Sequence, residues 1–486
     1  MSDADAGEVA GEQPGAAMAP RDLSKAIPWR EWASDRRLWA AIAVGVVLRV
    51  LPLILWPQFE CIRDECIYRG MAAAINNGKG LTVSSKGWLP SPGYPYMLAW
   101  CKTLFGTYFS IKIPQIIMSE ISVFFAYVCG RHLGGKAIGR TAAWIFALHP
   151  TLAWFTNTQW IETVYIFFLL GAMSFMLAAR ARDWKMAALS GTFLGFAMLF
   201  KGVATYMPPF FLLAAVYPVG ALWSVERWLA EAKRQSNVII GFVVALLLTV
   251  APYSYQASQR HGGFMVADAT VGHVLFLGNN DFPPLTFDYG LGMLTQPLFG
   301  KYLRAGRRPC NRNVLPVRSS KCEVAAVVDW VKEHPDQFVE RIPVRLAQLF
   351  NPNSFLTRHI RWGYWGGLPY YAKEGLAVLV VLTSLLVSWG GTIAVWARAR
   401  GPYAFMAVSA VVYTIGTTVV SYGMTRFRLP MEAVWLVYLA VLLAEPRATF
   451  EALKASPARQ AGLLLTMPPL VVLTLWYLPT GFPMFW

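Results

Sequence analysis

LWAAIAVGVVLRVLPLILW, residues 38–56, carries one charged side chain, Arg49, in its whole length. At about 1.5 Å per residue, a helix of this size crosses a hydrocarbon core of about 30 Å. The segment starts late, runs long and lacks a convincing small-residue cleavage site, so it reads as a membrane span and not a signal peptide. Further apolar segments follow at about 108–130, 138–153, 162–180, 185–201, 203–222, 237–256, 373–397, 402–421, 429–445 and 461–484. The sequence therefore predicts an all-α polytopic membrane protein with about eleven transmembrane helices. Composition agrees: 56% of the 486 residues are hydrophobic and 14% charged, against about 25% charged in soluble chains.

Loop charge orients the chain. With the N-terminus inside, the cytoplasmic loops hold Arg36 and Arg37, then Arg131, Lys136 and Arg140, then Arg180, Arg182 and Lys185. Further along come Arg227, Lys233 and Arg234, Arg398 and Arg400, and Arg447, Lys454 and Arg459. The opposite loop 154–161 has no basic residue. This alternation predicts N-in, C-out. It also accounts for the net charge of +16; with no basic stripe interleaved with aromatics, a nucleic-acid partner is excluded.

Four regions follow. Residues 1–37 form a cytoplasmic tail, and its first 20 positions read as disordered. Residues 38–256 form a seven-helix module that includes an outer loop, 57–107. Residues 257–372 form a large extracytoplasmic loop, and residues 373–486 a four-helix transmembrane part. Semi-apolar stretches from Tyr68 to Ile75 and from Tyr94 to Leu104 predict surface helices in the first outer loop. Helical spacing of Val327, Val328, Val331, Phe338, Ile342 and Leu346 predicts an amphipathic helix from Glu323 to Phe350. Cys101 and Cys129 lie in or near apolar segments, where cysteine packs inertly. Cys61 and Cys66 flank an acidic pair, and Cys310 and Cys322 suit a local disulfide if their loop faces an oxidising compartment. No CxxC pair or His-rich cluster suggests zinc.

Charges that the orientation places outside are the candidates for chemistry. Asp64 and Glu65 follow the first span; a carboxylate near the membrane plane suits a general base, although acids at a helix start are also stabilising in themselves. Glu162 opens the fourth span beside Trp160, where an acid is costly enough to suggest a role. Lys201 closes the fifth span, either snorkelling or binding an anion. Arg426 and Arg428 sit in an outside turn against the charge bias, which favours anion binding. Cations to hold a phosphate and a carboxylate to take a proton suit a lipid-linked phosphate leaving group. Arg49 either pairs with a carboxylate elsewhere in the chain or lines the site. A transporter or flippase of lipid-linked or small anionic substrates is the alternative. It calls for mid-membrane charges or repeated broken helices, and only Arg49 fits.

Asp64-Glu65 with Tyr68, Gly78-Lys79-Gly80 and Pro90-Ser91-Pro92-Gly93-Tyr94-Pro95 together resemble the GT-C superfamily of polyprenyl-phosphate-sugar glycosyltransferases. Within it, the chain is similar to bacterial members related to protein O-mannosyltransferases and lipid A aminoarabinose transferases. The likeness continues through Leu148-His149-Pro150, Trp160-Ile161-Glu162-Thr163, Leu199-Phe200-Lys201-Gly202, Gly272-His273, Gly278-Asn279-Asn280 and Arg426-Phe427-Arg428-Leu429-Pro430. It covers roughly 38–440, through short motifs in a fixed order. The resemblance implies a seven-helix module, two surface helices and a variable C-terminal part in a bacterial plasma membrane, with the active site extracytoplasmic. It implies Asp64 as the base of an inverting displacement, with Glu65 and Glu162 orienting substrates or holding a divalent cation where members use one. Lys201, Arg426 and Arg428 would hold the donor phosphate, and Tyr68, Tyr94, His273 and Asn279 would line the substrates. The implied partners are a polyprenyl-phosphate sugar, membrane lipids and an acceptor glycan, lipid or protein. One departure stands out: relatives often carry Arg-Pro where this chain has Lys201-Gly202, and lysine holds a phosphate only as a point charge.

Overall fold

The computed structural model describes residues 29–55, 61, 64–82, 89–282, 310, 314–353, 355–361 and 368–476. Positions 1–28 of the tail, and with them the segment read as disordered, lie outside the described residues. Among the described residues all regular structure is helical.

Among the described residues, eight helices are long and apolar enough to cross a membrane: Arg36–Leu55, Tyr108–Gly134, Glu162–Ala179, Ser236–Arg260, Tyr370–Arg398, Gly401–Val420, Thr425–Ala444 and Pro457–Leu475. Three of the eleven segments read as spans are shaped differently. Trp184–Phe200 is apolar but shorter. The segment 138–153 breaks at His149-Pro150 into Lys136–Leu148 and Pro150–Phe155. The segment 203–222 becomes a 3-10 turn, Gly202–Tyr206, and the short helix Pro208–Ala215. A proline ring clashes with the carbonyl four residues back, so apolar length alone overstates helix length at these sites.

The helices divide into centre and rim. Glu162–Ala179 and Thr425–Ala444 are 89% and 78% buried, whereas Pro457–Leu475 is 17% buried. A rim helix with an exposed apolar face, such as Ser236–Arg260, suits lipid contact. Close approach between neighbouring helices depends on small residues. A Cβ on Gly191 would stand 2.2 Å from the Phe242 carbonyl oxygen, and one on Gly171 would stand 2.4 Å from Phe193. The first outer loop holds two helices as read, Asp64–Asn76 and Gly93–Phe105. The amphipathic stretch of the second loop is instead two helices, Pro316–Glu333 and Pro335–Phe350, divided at His334-Pro335.

Arg49 pairs with Glu120 at 3.1 Å, and its Nε donates to Ser119 Oγ at 2.8 Å. Gly45 leaves the room for that carboxylate, since a Cβ there would stand 2.7 Å from Glu120 Oε2. The first span's charge is therefore a structural partner of the second span. Cys310–Cys322 and Cys61–Cys66 are both disulfides. The second pairing was not read from the sequence, although its spacing across Asp64 is short.

Candidate active site

Four helix ends meet on one face of the bundle. Asp64 and Glu162 are the first residues of their helices, where a carboxylate is favoured by the macrodipole. Lys201 caps the C-terminus of Trp184–Phe200, the end that favours a cation. Arg426 breaks the rule, because it lies in the first turn of Thr425–Ala444. Its compensation is electrostatic. Nη1 stands 3.2 Å from Asp64 Oδ2, Nε stands 3.4 Å from Glu162 Oε1, and the guanidinium lies 4.5 Å over the Trp160 ring. Lys201 Nζ reaches the same Glu162 oxygen at 3.3 Å. The four residues thus form one chain, Asp64–Arg426–Glu162–Lys201.

Glu162 is fully buried, and its Oε2 accepts no hydrogen bond among the described residues. A buried carboxylate oxygen without a donor is costly, and it is the natural acceptor for a hydroxyl brought in by a ligand. Tyr68 and Tyr422 lie beside Arg426 and Asp64. Burial pushes the Tyr68 phenol far above its ordinary value and the Tyr422 phenol up to about 12, so both remain O–H donors.

Lys201, at one end of that chain, lines an open cavity of about 200 Å³. Its walls are largely apolar (Leu169, Val203, Met207, Val274, Met431), with Lys201 and Asp268 among the few charged groups facing it. Such a cavity accommodates a hydrocarbon chain while a polar end meets the cations.

Other residues read as site candidates are placed elsewhere. Glu65 accepts the Gln159 N–H at 2.8 Å, while Arg69 Nε donates to the Gln159 side chain at 2.6 Å. Glu65 thus supports the loop that carries Trp160 and Glu162. Tyr94 packs edge-on to Tyr68, and its hydroxyl donates to Gln115 at 2.9 Å. Gln115 in turn donates to the Thr156 and Thr158 carbonyls, which steadies the same loop. His273 faces Glu323 at 3.8 Å. Asn279 donates to the Leu275 and Val420 carbonyls and accepts from Arg345. The His273 contact stays within the segment 257–372, whereas Asn279 ties that segment to the bundle through Val420; neither residue is among those lining the cavity.

Arg428 is the main correction to the sequence reading. It is 1% exposed, and its guanidinium donates to Glu432 at 2.8 Å, Ser384 Oγ at 2.7 Å and the Leu349 and Asn351 carbonyls. All of its donating nitrogens have protein partners, a geometry that favours a structural role over the phosphate role read from the sequence. Asp268 was missed. It stands in an unremarkable loop sequence, and nothing there foretold that Ser91 and Gly202 would converge on it. Burial raises its carboxyl above the ordinary range.

The residues do not fit a divalent cation. Arg426 already bridges Asp64 and Glu162, and among the described residues no group of three His, Cys, Asp or Glu side chains stands together.

Residues 90–255 match the family model described as dolichyl-phosphate-mannose-protein mannosyltransferase. No curated protein matches the chain. Among solved structures, it is similar to the apo oligosaccharyltransferase of Archaeoglobus fulgidus, with 14% identity and a TM-score of 0.50 over 91% of this chain and 56% of that one. The same organism's oligosaccharyltransferase AglB, solved with an inhibitory peptide and a dolichol-phosphate, matches at 16% identity and TM-score 0.46, over 92% and 56% of the two chains. ArnT from Cupriavidus metallidurans bound to undecaprenyl phosphate matches at 15% identity and TM-score 0.39, over 86% and 78%. The chain spans little more than half the length of the archaeal structures. The helical fold of this chain is thus similar to that of the archaeal oligosaccharyltransferase.

Proposed function

We propose that this chain is a membrane glycosyltransferase that moves a sugar from a polyprenyl-phosphate donor to an acceptor on the extracytoplasmic side, with inversion. The observation that carries this reading is the Asp64–Arg426–Glu162–Lys201 chain, whose Lys201 end lines a largely apolar cavity. The match of residues 90–255 to a family named for a lipid-phosphate sugar donor supports it. Loop charge supports the side, and so do two disulfides in the loops assigned outside, since disulfides persist in oxidising compartments.

The donor's prenyl chain lies in the cavity, and its phosphate meets Lys201 and Arg426. Arg426 pairs with Asp64 at 3.2 Å, a poor state for a base. An arriving phosphate competes for that guanidinium and leaves Asp64 freer to act. Asp64 then takes the acceptor's hydroxyl proton as the acceptor oxygen bonds to the anomeric carbon. The bond from that carbon to the phosphate oxygen breaks, and its electron pair leaves on the polyprenyl monophosphate. Lys201 and Arg426 stabilise that charge where water is scarce. Glu162 Oε2 accepts from a sugar hydroxyl and so orients the donor.

Membranes carrying the protein, supplied with radiolabelled polyprenyl-phosphate sugars, test the reading. Asp64→Asn is expected to lose about 10²–10⁴-fold in turnover, the usual worth of a general base. Wild-type turnover in that variant would remove Asp64 from the mechanism.

A further inference from the structure

Asp268 belongs to the second outer loop, yet its carboxylate gathers atoms from three separate segments. Ser91 Oγ donates to Oδ2 at 3.1 Å from the first outer loop. The Thr270 N–H donates to Oδ1 at 3.4 Å from its own loop. The Gly202 N–H donates from the turn that follows Lys201. Each donor is neutral, and the carboxylate that Lys201 Nζ faces is Glu162. Asp268 therefore acts on Lys201 through the backbone and not by pairing with its charge.

Packing around this carboxylate leaves no slack. A Cβ on Gly202 would stand 1.9 Å from Asp268 Oδ2, and one on Gly93 would stand 2.7 Å from Phe200 Cδ2. The Ala269 N–H also donates to the Leu89 carbonyl at 3.0 Å. Two absent side chains and two cross-loop hydrogen bonds thus press residues 89–93, 200–202 and 268–270 into one junction. Lys201 is the middle residue of that junction, and it lines the cavity together with Gly202 and Asp268. A lysine side chain has four rotatable carbons and holds a phosphate only as a point charge, so its aim depends on where its backbone is fixed.

We infer that Asp268 is a positioning residue for the donor phosphate: it clamps the Lys201-Gly202 turn through the Gly202 N–H and so aims the Lys201 ammonium into the cavity. This rests on the proposed phosphate role of Lys201. A buried carboxylate can also serve the fold alone, and the two roles separate in a swap between the two touching positions. A methyl at Gly202 collides with the carboxylate, while shortening Asp268 removes the obstacle but also the clamp.

The experiment measures binding of a polyprenyl monophosphate to the purified full chain in nanodiscs, for wild type, Gly202→Ala, Asp268→Ala, the double variant and Lys201→Ala. Thermal melting of each confirms that it is folded. Gly202→Ala and Asp268→Ala are each expected to weaken binding about tenfold or more, the scale of a lost charge-assisted hydrogen bond. The double variant is expected to bind no worse than Gly202→Ala alone, because one collision and one clamp are removed together. The inference is overturned if Lys201→Ala weakens binding while Gly202→Ala and Asp268→Ala bind as wild type. It is equally overturned if the double variant loses the product of the two single losses, the mark of independent structural damage. If Lys201→Ala itself binds as wild type, the phosphate reading falls and this inference with it. Where Gly202→Ala fails to fold, Asp268→Asn takes its place: it keeps the volume and one acceptor oxygen, and is expected to retain more binding than Asp268→Ala. Equal losses in the two would overturn the inference.

Discussion

Arg426 and Arg428 stand two residues apart in one helix and have the same side chain, but their surroundings differ completely. Arg426 faces two carboxylates and an aromatic ring, one helical position before Phe427, which lines the open cavity. Arg428 is sealed among Glu432, Ser384 and two backbone carbonyls. Successive helical positions turn by about 100°, so two residues along places a side chain on nearly the opposite face. A cation paired with two carboxylates can exchange one of them for a phosphate. A cation locked by carbonyls, a hydroxyl and a carboxylate in a closed interior cannot do so without breaking the fold.

The difference can be broken or sharpened by substitution. The largest effect on folding is expected at Arg428→Ala, which strands Glu432 as an unpaired buried charge at a cost of about 3–5 kcal/mol. Thermal melting in detergent should fall steeply, and unchanged melting would show that Arg428 is not structural. Arg426→Ala is expected to act the other way round. Melting should change little, while the Michaelis constant for the donor should rise by roughly the 1.5–3 kcal/mol of hydrogen bonds to a charged group. An unchanged constant would detach Arg426 from the phosphate.

A double-mutant cycle of Arg428→Ala with Glu432→Ala should give a coupling of about 0.5–3 kcal/mol in stability, because both changes sever the same contact. Simple additivity would deny that the pair is a unit. The smallest effect belongs to Trp160→Leu, which removes the ring beneath Arg426. A cation–π contact is worth about 0.5–2 kcal/mol, so donor affinity should fall by about two- to thirtyfold.

Much of this was legible in the sequence. Apolar length announced the membrane body, and loop charge grouped Asp64, Glu162, Lys201 and Arg426 on one side before any contact was known. Those four do meet. Hydropathy does not register a helix break, so 138–153 and 203–222 read as spans although His149-Pro150 and Pro208-Pro209 divide them. Arg428 carried the same signal as Arg426, since the rotational setting of a helix against its neighbours is a property of packing. The partner of Arg49 lies about seventy positions away within another span, out of reach of any local pattern. Asp268 had no local signal at all; its burial is made by Ser91 and Gly202, which only the fold brings to it.

The most direct test is a cryo-EM structure of the full chain in nanodiscs with a polyprenyl monophosphate. The phosphate is expected between Lys201 and Arg426, with the prenyl chain running into the cavity walled by Leu169, Val203, Met207 and Met431. Lipid density held elsewhere, with Arg426 still closed on Asp64 and Glu162, would contradict the assignment of this cluster as the donor site.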